Sequence, residues 1–89
     1  MNIMYRWIEN WDGGIGSEHF ETIEEAKANM IEHVKGIRWT KKEMEAQIKK
    51  RENVVLIEKL ILDDDGDEID FEDTGVSIEV NEKTVDRVY

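Results

Sequence analysis

The hydrophobic residues of this chain fall into blocks whose spacing predicts strands first and helices next. Over residues 2–8, Ile3, Tyr5 and Trp7 recur at every second position, which is typical of a β-strand. Residues 10–16 are rich in glycine and predict a tight turn. We therefore expect a short return strand over residues 17–21, and with it an N-terminal hairpin.

Two registers fit this N-terminal hairpin. Pairing about the Asp12-Gly13 step places Phe20 opposite Tyr5, whereas a turn centred one residue later places Phe20 opposite Trp7. Either register keeps the aromatic side chains on one face of the hairpin, so the prediction of a hairpin does not depend on the choice.

Two helices follow, and each begins with a capping box. In residues 22–25 and 40–43 a threonine stands three residues before a glutamate, so the two side chains satisfy each other's backbone N–H groups. The first helix is expected to run to about Lys35 and to stop at Gly36. The second is expected to end near Glu52, and its thin apolar stripe predicts that it covers the core from outside.

The C-terminal part reads as strands. Residues 54–62 form the most hydrophobic run and predict a central strand. Residues 69–72 and 76–80 alternate apolar with polar side chains, and the Thr74-Gly75 pair between them predicts a break. The pattern of residues 85–89 allows either a last strand or an irregular end.

This order predicts a single α+β domain over residues 1–89. We expect an antiparallel sheet of about five strands with two helices on one face, in the order ββααβββ. The chain has no cysteine, no apolar run of the length a membrane helix needs, and no signal-peptide pattern at its start. These features predict a cytoplasmic protein that does not enter a membrane.

Charge is unevenly distributed along the chain. The net charge is −10. Residues 1–53 carry nine Lys or Arg and ten Asp or Glu, whereas residues 54–89 carry three and twelve. A field of this sign repels nucleic acids and anionic membranes and attracts basic proteins. Direct binding of nucleic acid is therefore not expected.

The densest charge lies in residues 63–73, which we call the acidic hairpin because Asp65 and Gly66 predict a turn between two strands. Eight of its eleven residues are acidic. Together with the turn residue Trp11, whose ring is a plausible binding anchor, they form the predicted partner-binding set: Asp63, Asp64, Asp65, Asp67, Glu68, Asp70, Glu72 and Asp73.

Three interpretations of the acidic hairpin stand side by side. The first is a solvated turn that keeps an edge strand from pairing with other chains. The second is a carboxylate row that imitates a nucleic-acid backbone, since side chains on one strand face recur at about 6.6 Å. The third is a weak calcium loop, in which Gly66 and Glu72 match the EF-hand pattern but Ile61 stands where the first aspartate belongs.

No catalytic constellation is recognisable in the sequence. His19 and His33 lack the spacing and the cysteines of a zinc site, and no serine stands in a nucleophile motif. The basic face of the second helix, including Lys41 and Lys49, lacks the interleaved aromatic residues of a nucleic-acid surface. We therefore predict a non-enzymatic protein with no cofactor and no metal site.

The N-terminal layout is similar to that of many short phage and mobile-element proteins. It comprises a strand, a glycine-rich turn, a short strand ending in Phe20, and then Thr22-Ile23-Glu24-Glu25-Ala26. In size and acidity the chain also resembles the acidic DNA-mimicking inhibitors of that group, such as anti-CRISPR proteins. The resemblance implies an inhibitor that occupies a nucleic-acid-binding surface, and it transfers no site residues.

Taken together, these patterns predict a small acidic binding protein, of the DNA-mimic type, whose partner is a basic, nucleic-acid-binding protein. The alternative is a structural or regulatory module, monomeric or homodimeric, whose acidity serves solubility. The sequence does not choose between a monomer and a homodimer.

Overall fold

The computed structural model describes residues 1–11 and 13–89 and shows an α+β fold. Three strands form one antiparallel sheet in the order β1-β2-β3, so β2 is central. The prediction of an α+β fold with two helices and an antiparallel sheet is confirmed. In chain order the elements are β1 (Asn2–Glu9), α1 (Ile23–Lys35), α2 (Lys41–Lys50), β2 (Val54–Leu62) and β3 (Glu68–Glu79).

The predicted five strands and the order ββααβββ are not confirmed. The expected return strand contributes only two isolated bridges to β1, Tyr5 with Phe20 and Ile8 with Gly16. The pairing shifts by one residue between these bridges, so no continuous ladder forms. Phe20 does lie opposite Tyr5, as the first of the two registers requires. Asp12, on which that predicted turn is centred, lies outside the described residues.

The two strands expected over residues 69–72 and 76–80 are one strand, β3. The Thr74-Gly75 pair lies in an irregularity where Ile57 of β2 faces three residues of β3. The Thr74 hydroxyl donates to the Ile57 carbonyl at 2.7 Å, and Gly75 has a φ of 77°. This contact across the sheet turns the predicted break into a bulge.

The chain end is irregular, so residues 85–89 add no strand to the sheet. The N–H of Asp86 donates to the carbonyl of Lys35 at 3.1 Å, and the N–H of Tyr89 donates to the carbonyl of Trp39 at 3.0 Å. The end therefore runs along the connection between α1 and α2, where Val85 joins the core.

The helices begin where the capping residues predict. The Thr22 side chain accepts the N–H of Glu25, and Thr40 with Glu43 forms a complete capping box. Both helices contribute to one core, α1 with three residues and α2 with one, as their apolar stripes lead us to expect. The buried core residues are Ala26, Met30, Val34, Met44, Trp7, Val55, Ile57, Val80 and Val85.

This core lies under only one half of the sheet. Directly paired residues of neighbouring strands point to the same face, so Trp7 and Ile57 define a helix-covered face. No β1 or β2 residue of this core lies nearer the acidic hairpin than these two, since the buried Leu60 and Leu62 lie on the opposite face. The other half of the sheet therefore extends beyond the helices, and the molecule is elongated, measuring 45 × 22 × 19 Å.

Candidate functional site

The acidic hairpin lies at the end of the sheet that the helices leave uncovered. Its turn is held by one carboxylate, because Asp63 Oδ1 accepts the N–H groups of Asp65 and Asp67, each at 2.9 Å. Gly66 lies between them with a φ of 85°, a value that suits glycine. Asp63 thus acts as a structural residue of the turn.

The face of the sheet opposite the helices, which we call the open face, carries an ion-pair bridge. Arg6 Nε lies 3.3 Å from Glu58 Oε1, and Arg6 Nη1 lies 3.4 Å from Glu68 Oε2. Glu58 pairs with Arg6, and Glu68 pairs with Leu62. The Arg6 side chain reaches both glutamates and therefore passes over Leu60, which lies between Glu58 and Leu62 on this face. Leu60 is 0% exposed although no core residue of the helices packs on its face. Glu68 is therefore tied to the sheet.

Two further carboxylates satisfy N–H groups of β3. Asp70 Oδ1 accepts the N–H of Phe71 and Asp73 Oδ1 accepts the N–H of Gly75, both at 2.8 Å. A side chain that caps an edge N–H protects that edge from unwanted pairing. Asp70 and Asp73 therefore each have a local structural contact within β3.

The remaining carboxylates of the acidic hairpin lie at its tip and on its rim. Glu72 lies 3.9 Å from the Lys59 ammonium group, and Asp64 lies 3.4 Å from the amino group of Met1. Asp65 and Asp67 have exposed side chains with no hydrogen bond or ion pair among the described residues. Exposed ion pairs of this kind contribute little to stability, so these carboxylates are available for a partner.

Two large apolar side chains are exposed among these carboxylates. Phe71 is 57% exposed and Ile69 is 55% exposed. Phe71 pairs with Leu60 and so lies on the open face, whereas Asp70 pairs with Ile61 and points to the other side. The hairpin therefore presents apolar surface within a frame of negative charge.

Trp11 does not join this site. Its ring is half-buried, packs against the core and meets the ring of Trp39 edge-on, with 4.9 Å between centroids. Trp11 follows the end of β1 that pairs with Val55, whereas the acidic hairpin follows Leu62 of β2, which pairs with Asn2 at the other end of β1. The strand between them spans about 23 Å. One partner surface of ordinary size would have to reach along the whole sheet to contact both.

His33 belongs to a separate cluster at the sheet–helix interface. Its ring stacks on Trp7 with 4.1 Å between centroids, and its Nε2 lies 2.6 Å from Glu9 Oε2. The other Glu9 oxygen accepts the N–H of Ile15 at 2.8 Å, and Trp7 Nε1 donates to Asn29 at 2.8 Å. These contacts join α1 to β1 and hold residue 15 against the strand.

Residues 1–11 and 13–89 contain neither a convergent set of metal ligands nor a helix that could span a membrane. Within these ranges, no three His, Cys, Asp or Glu side chains converge as metal ligands would. Within the same ranges, no helix has both the length and the apolar character needed to cross a membrane.

No protein-family model matches the chain, and no curated protein or solved structure shows significant similarity to it.

Two residues of the site had no signal in the sequence. Arg6 reads as an ordinary polar position of an alternating strand, and its bridge depends on the pairing of three strands. Phe71 alternates with acidic residues as a core residue would, but it lies on the open face of the sheet, which the helices do not cover.

Proposed function

We propose that this protein is a small, non-enzymatic binding protein whose acidic hairpin docks on a basic surface of a partner protein. The observation that carries the proposal is the exposure of Phe71 and Ile69 in the middle of the most acidic segment. Exposed apolar side chains that are grouped within a rim of charged residues are typical of protein interaction sites.

The combination of apolar and acidic groups suits protein recognition. Buried aromatic and aliphatic anchors supply most of the affinity of an interface, while charges around them set orientation and association rate. Phe71 and Ile69 would supply the anchor. The exposed carboxylates would steer a positively charged partner, and Asp65, Asp67 and Glu72 are the foremost of them.

We further propose that the basic surface of the partner is a nucleic-acid-binding groove. Asp70 and Glu72 share one face of β3, because they pair with Ile61 and Lys59 of β2. Two residues on the same face of a strand lie about 6.6 Å apart, close to the spacing of neighbouring phosphates. This spacing supports an inhibitor of the DNA-mimic type.

Affinity capture with charge-matched variants tests the proposal. One variant neutralises four hairpin carboxylates, with the substitutions Asp64→Asn, Asp65→Asn, Asp67→Asn and Glu72→Gln. The control neutralises four exposed carboxylates elsewhere, with Glu18→Gln, Glu45→Gln, Glu82→Gln and Asp86→Asn. Both change the net charge by the same amount, and Asp63 stays intact in both because it holds the turn.

We expect the wild-type protein and the control variant to retain the same partner from a lysate of the encoding organism, and the hairpin variant to lose it. The partner should elute as salt rises, because screening weakens its attraction to the carboxylates. Duplex DNA should compete for it if the groove form is right. Equal retention by all three proteins would contradict the proposal, and failure of DNA to compete would remove only the groove form.

A further inference from the structure

The outer edge of β3 is a long open edge of the sheet. On the opposite side, segment 16–20 covers part of β1 through the Tyr5–Phe20 and Ile8–Gly16 bridges. Among the described residues, no strand pairs with the outer side of β3. An unpaired edge strand is a template on which another chain can add a strand.

The pairing pattern identifies which backbone groups point outward. Tyr5 and the residues in step with it along β1 turn their backbone groups toward segment 16–20, since Tyr5 exchanges both hydrogen bonds with Phe20. Backbone direction alternates along each strand. Asp70 and Glu72 therefore face β2, and Phe71 and Asp73 face outward. The N–H of Phe71 agrees with this assignment, because it donates to the Asp70 side chain.

The charge of the edge selects what can pair with it. β3 carries five carboxylates and neither Lys nor Arg. A second copy of this chain would place like charges opposite one another, which destabilises a strand pair. A segment with basic side chains would instead form opposite-charge pairs with Asp70 and Glu72. Charge complementarity thus favours a basic strand over self-association.

The Asp70 carboxylate, which accepts the N–H of Phe71, further favours a basic strand over a neutral or acidic one. While its carboxylate holds the Phe71 N–H, a neutral or acidic strand finds that donor already occupied. A Lys or Arg arriving beside Asp70 offers its carboxylate a charged donor, which forms a stronger hydrogen bond than a neutral N–H. The Phe71 N–H would then be free for a carbonyl of the incoming strand.

From these observations we infer that β3 takes up an extended segment of the basic partner protein as a fourth strand along residues 68–73. The inference rests on the proposed function and specifies its binding mode. In that segment, basic residues alternate with apolar ones. Since neighbouring strands share their faces, the basic side chains pair with Asp70 and Glu72, while the apolar ones pack beside Phe71 on the open face.

Short synthetic peptides test the inference on the whole protein. The first peptide alternates lysine and valine. The second has the same sequence but carries N-methyl groups on the amides of one edge, which removes strand hydrogen bonds and keeps the charge; both edges are methylated in separate syntheses. The third alternates glutamate and valine. Calorimetry gives the affinity, and amide hydrogen exchange of the ¹⁵N-labelled protein reports on Phe71 and Asp73.

We expect the lysine–valine peptide to bind and to slow exchange at Phe71 and Asp73. Methylation of one edge should weaken binding roughly tenfold or more, since several hydrogen bonds are lost. The glutamate–valine peptide should not bind. In the protein, Phe71→Ala should weaken binding of the lysine–valine peptide, while Glu82→Gln, outside the hairpin, should leave it unchanged.

Three results would overturn strand addition. If methylated and unmethylated peptides bind equally and exchange does not slow, the hairpin binds basic partners in another mode, and the proposed function stands. If no peptide binds while the capture experiment still yields a hairpin-dependent partner, strand addition alone fails. If light scattering shows a dimer and exchange at Phe71 is already slow without peptide, a second copy occupies the edge.

Discussion

At the scale of single residues, the carboxylates of the acidic hairpin fall into two groups. Asp63, Asp70 and Asp73 accept backbone N–H groups, and Glu68 pairs with Arg6. These carboxylates shape the hairpin itself. Asp65 and Asp67 hold nothing in place through their side chains among the described residues. Neutralising Asp65 and Asp67 should therefore weaken partner binding far more than it lowers the free energy of unfolding.

Arg6 offers the sharpest test of a structural charge. Glu58 is 8% exposed and depends on Arg6 for its cation. Arg6→Met leaves that carboxylate without its partner, and we expect a loss of about 1–3 kcal/mol in the free energy of unfolding. In the double variant with Glu58→Met, much of the loss should return, because two apolar side chains can replace a buried ion pair.

Urea unfolding of the wild type, the two single variants and the double variant measures this coupling. If the destabilisation of the double variant equals the sum of the destabilisations of the two single variants, Arg6 and Glu58 do not stabilise each other.

At the scale of secondary-structure elements, β3 contains the most telling irregularity. Its bulge depends on Gly75, whose φ of 77° lies in the left-handed region. A Cβ at this position would meet no atom within 4 Å, so only the backbone conformation opposes a side chain. We expect Gly75→Ala to destabilise the protein by about 1 kcal/mol.

Gly36→Ala is the matched control for this substitution. Gly36 ends α1 with a φ of −85°, and the nearest atom to an added Cβ is 3.6 Å away. Alanine should be tolerated there or should stabilise the protein slightly. Thermal unfolding of both variants gives the comparison, and equal effects would show that the bulge does not require a positive φ.

The elements differ in how far local sequence determines them. Both helix starts could be predicted because Thr22 and Thr40 bond within their own first turns. The prediction of a break at Thr74-Gly75 was wrong because the Thr74 hydroxyl donates to a carbonyl of the neighbouring strand. The prediction of a return strand was wrong because the two bridges of this segment differ in register, and no local sequence pattern specifies that difference.

At the scale of the whole molecule, shape and charge point to the same end. The sheet extends past the helices, and that extension carries the acidic hairpin. The acidic half of the site could be predicted from the run of acidic residues in the sequence. Its apolar half could not, because Phe71 and a core phenylalanine have the same pattern in sequence. Trp11 lies at the other end of the sheet, where it packs against the core.

Photo-crosslinking in living cells tests the central claim most directly. A photo-reactive phenylalanine analogue replaces Phe71 in one protein and Ile48 of α2 in another, since Ile48 is also exposed. We predict a discrete protein adduct from position 71 and none from position 48. The adduct should vanish when Asp64, Asp65, Asp67 and Glu72 are neutralised. An adduct from position 48 alone, or an adduct from position 71 that persists after neutralisation of the carboxylates, would contradict binding of the partner at the acidic hairpin.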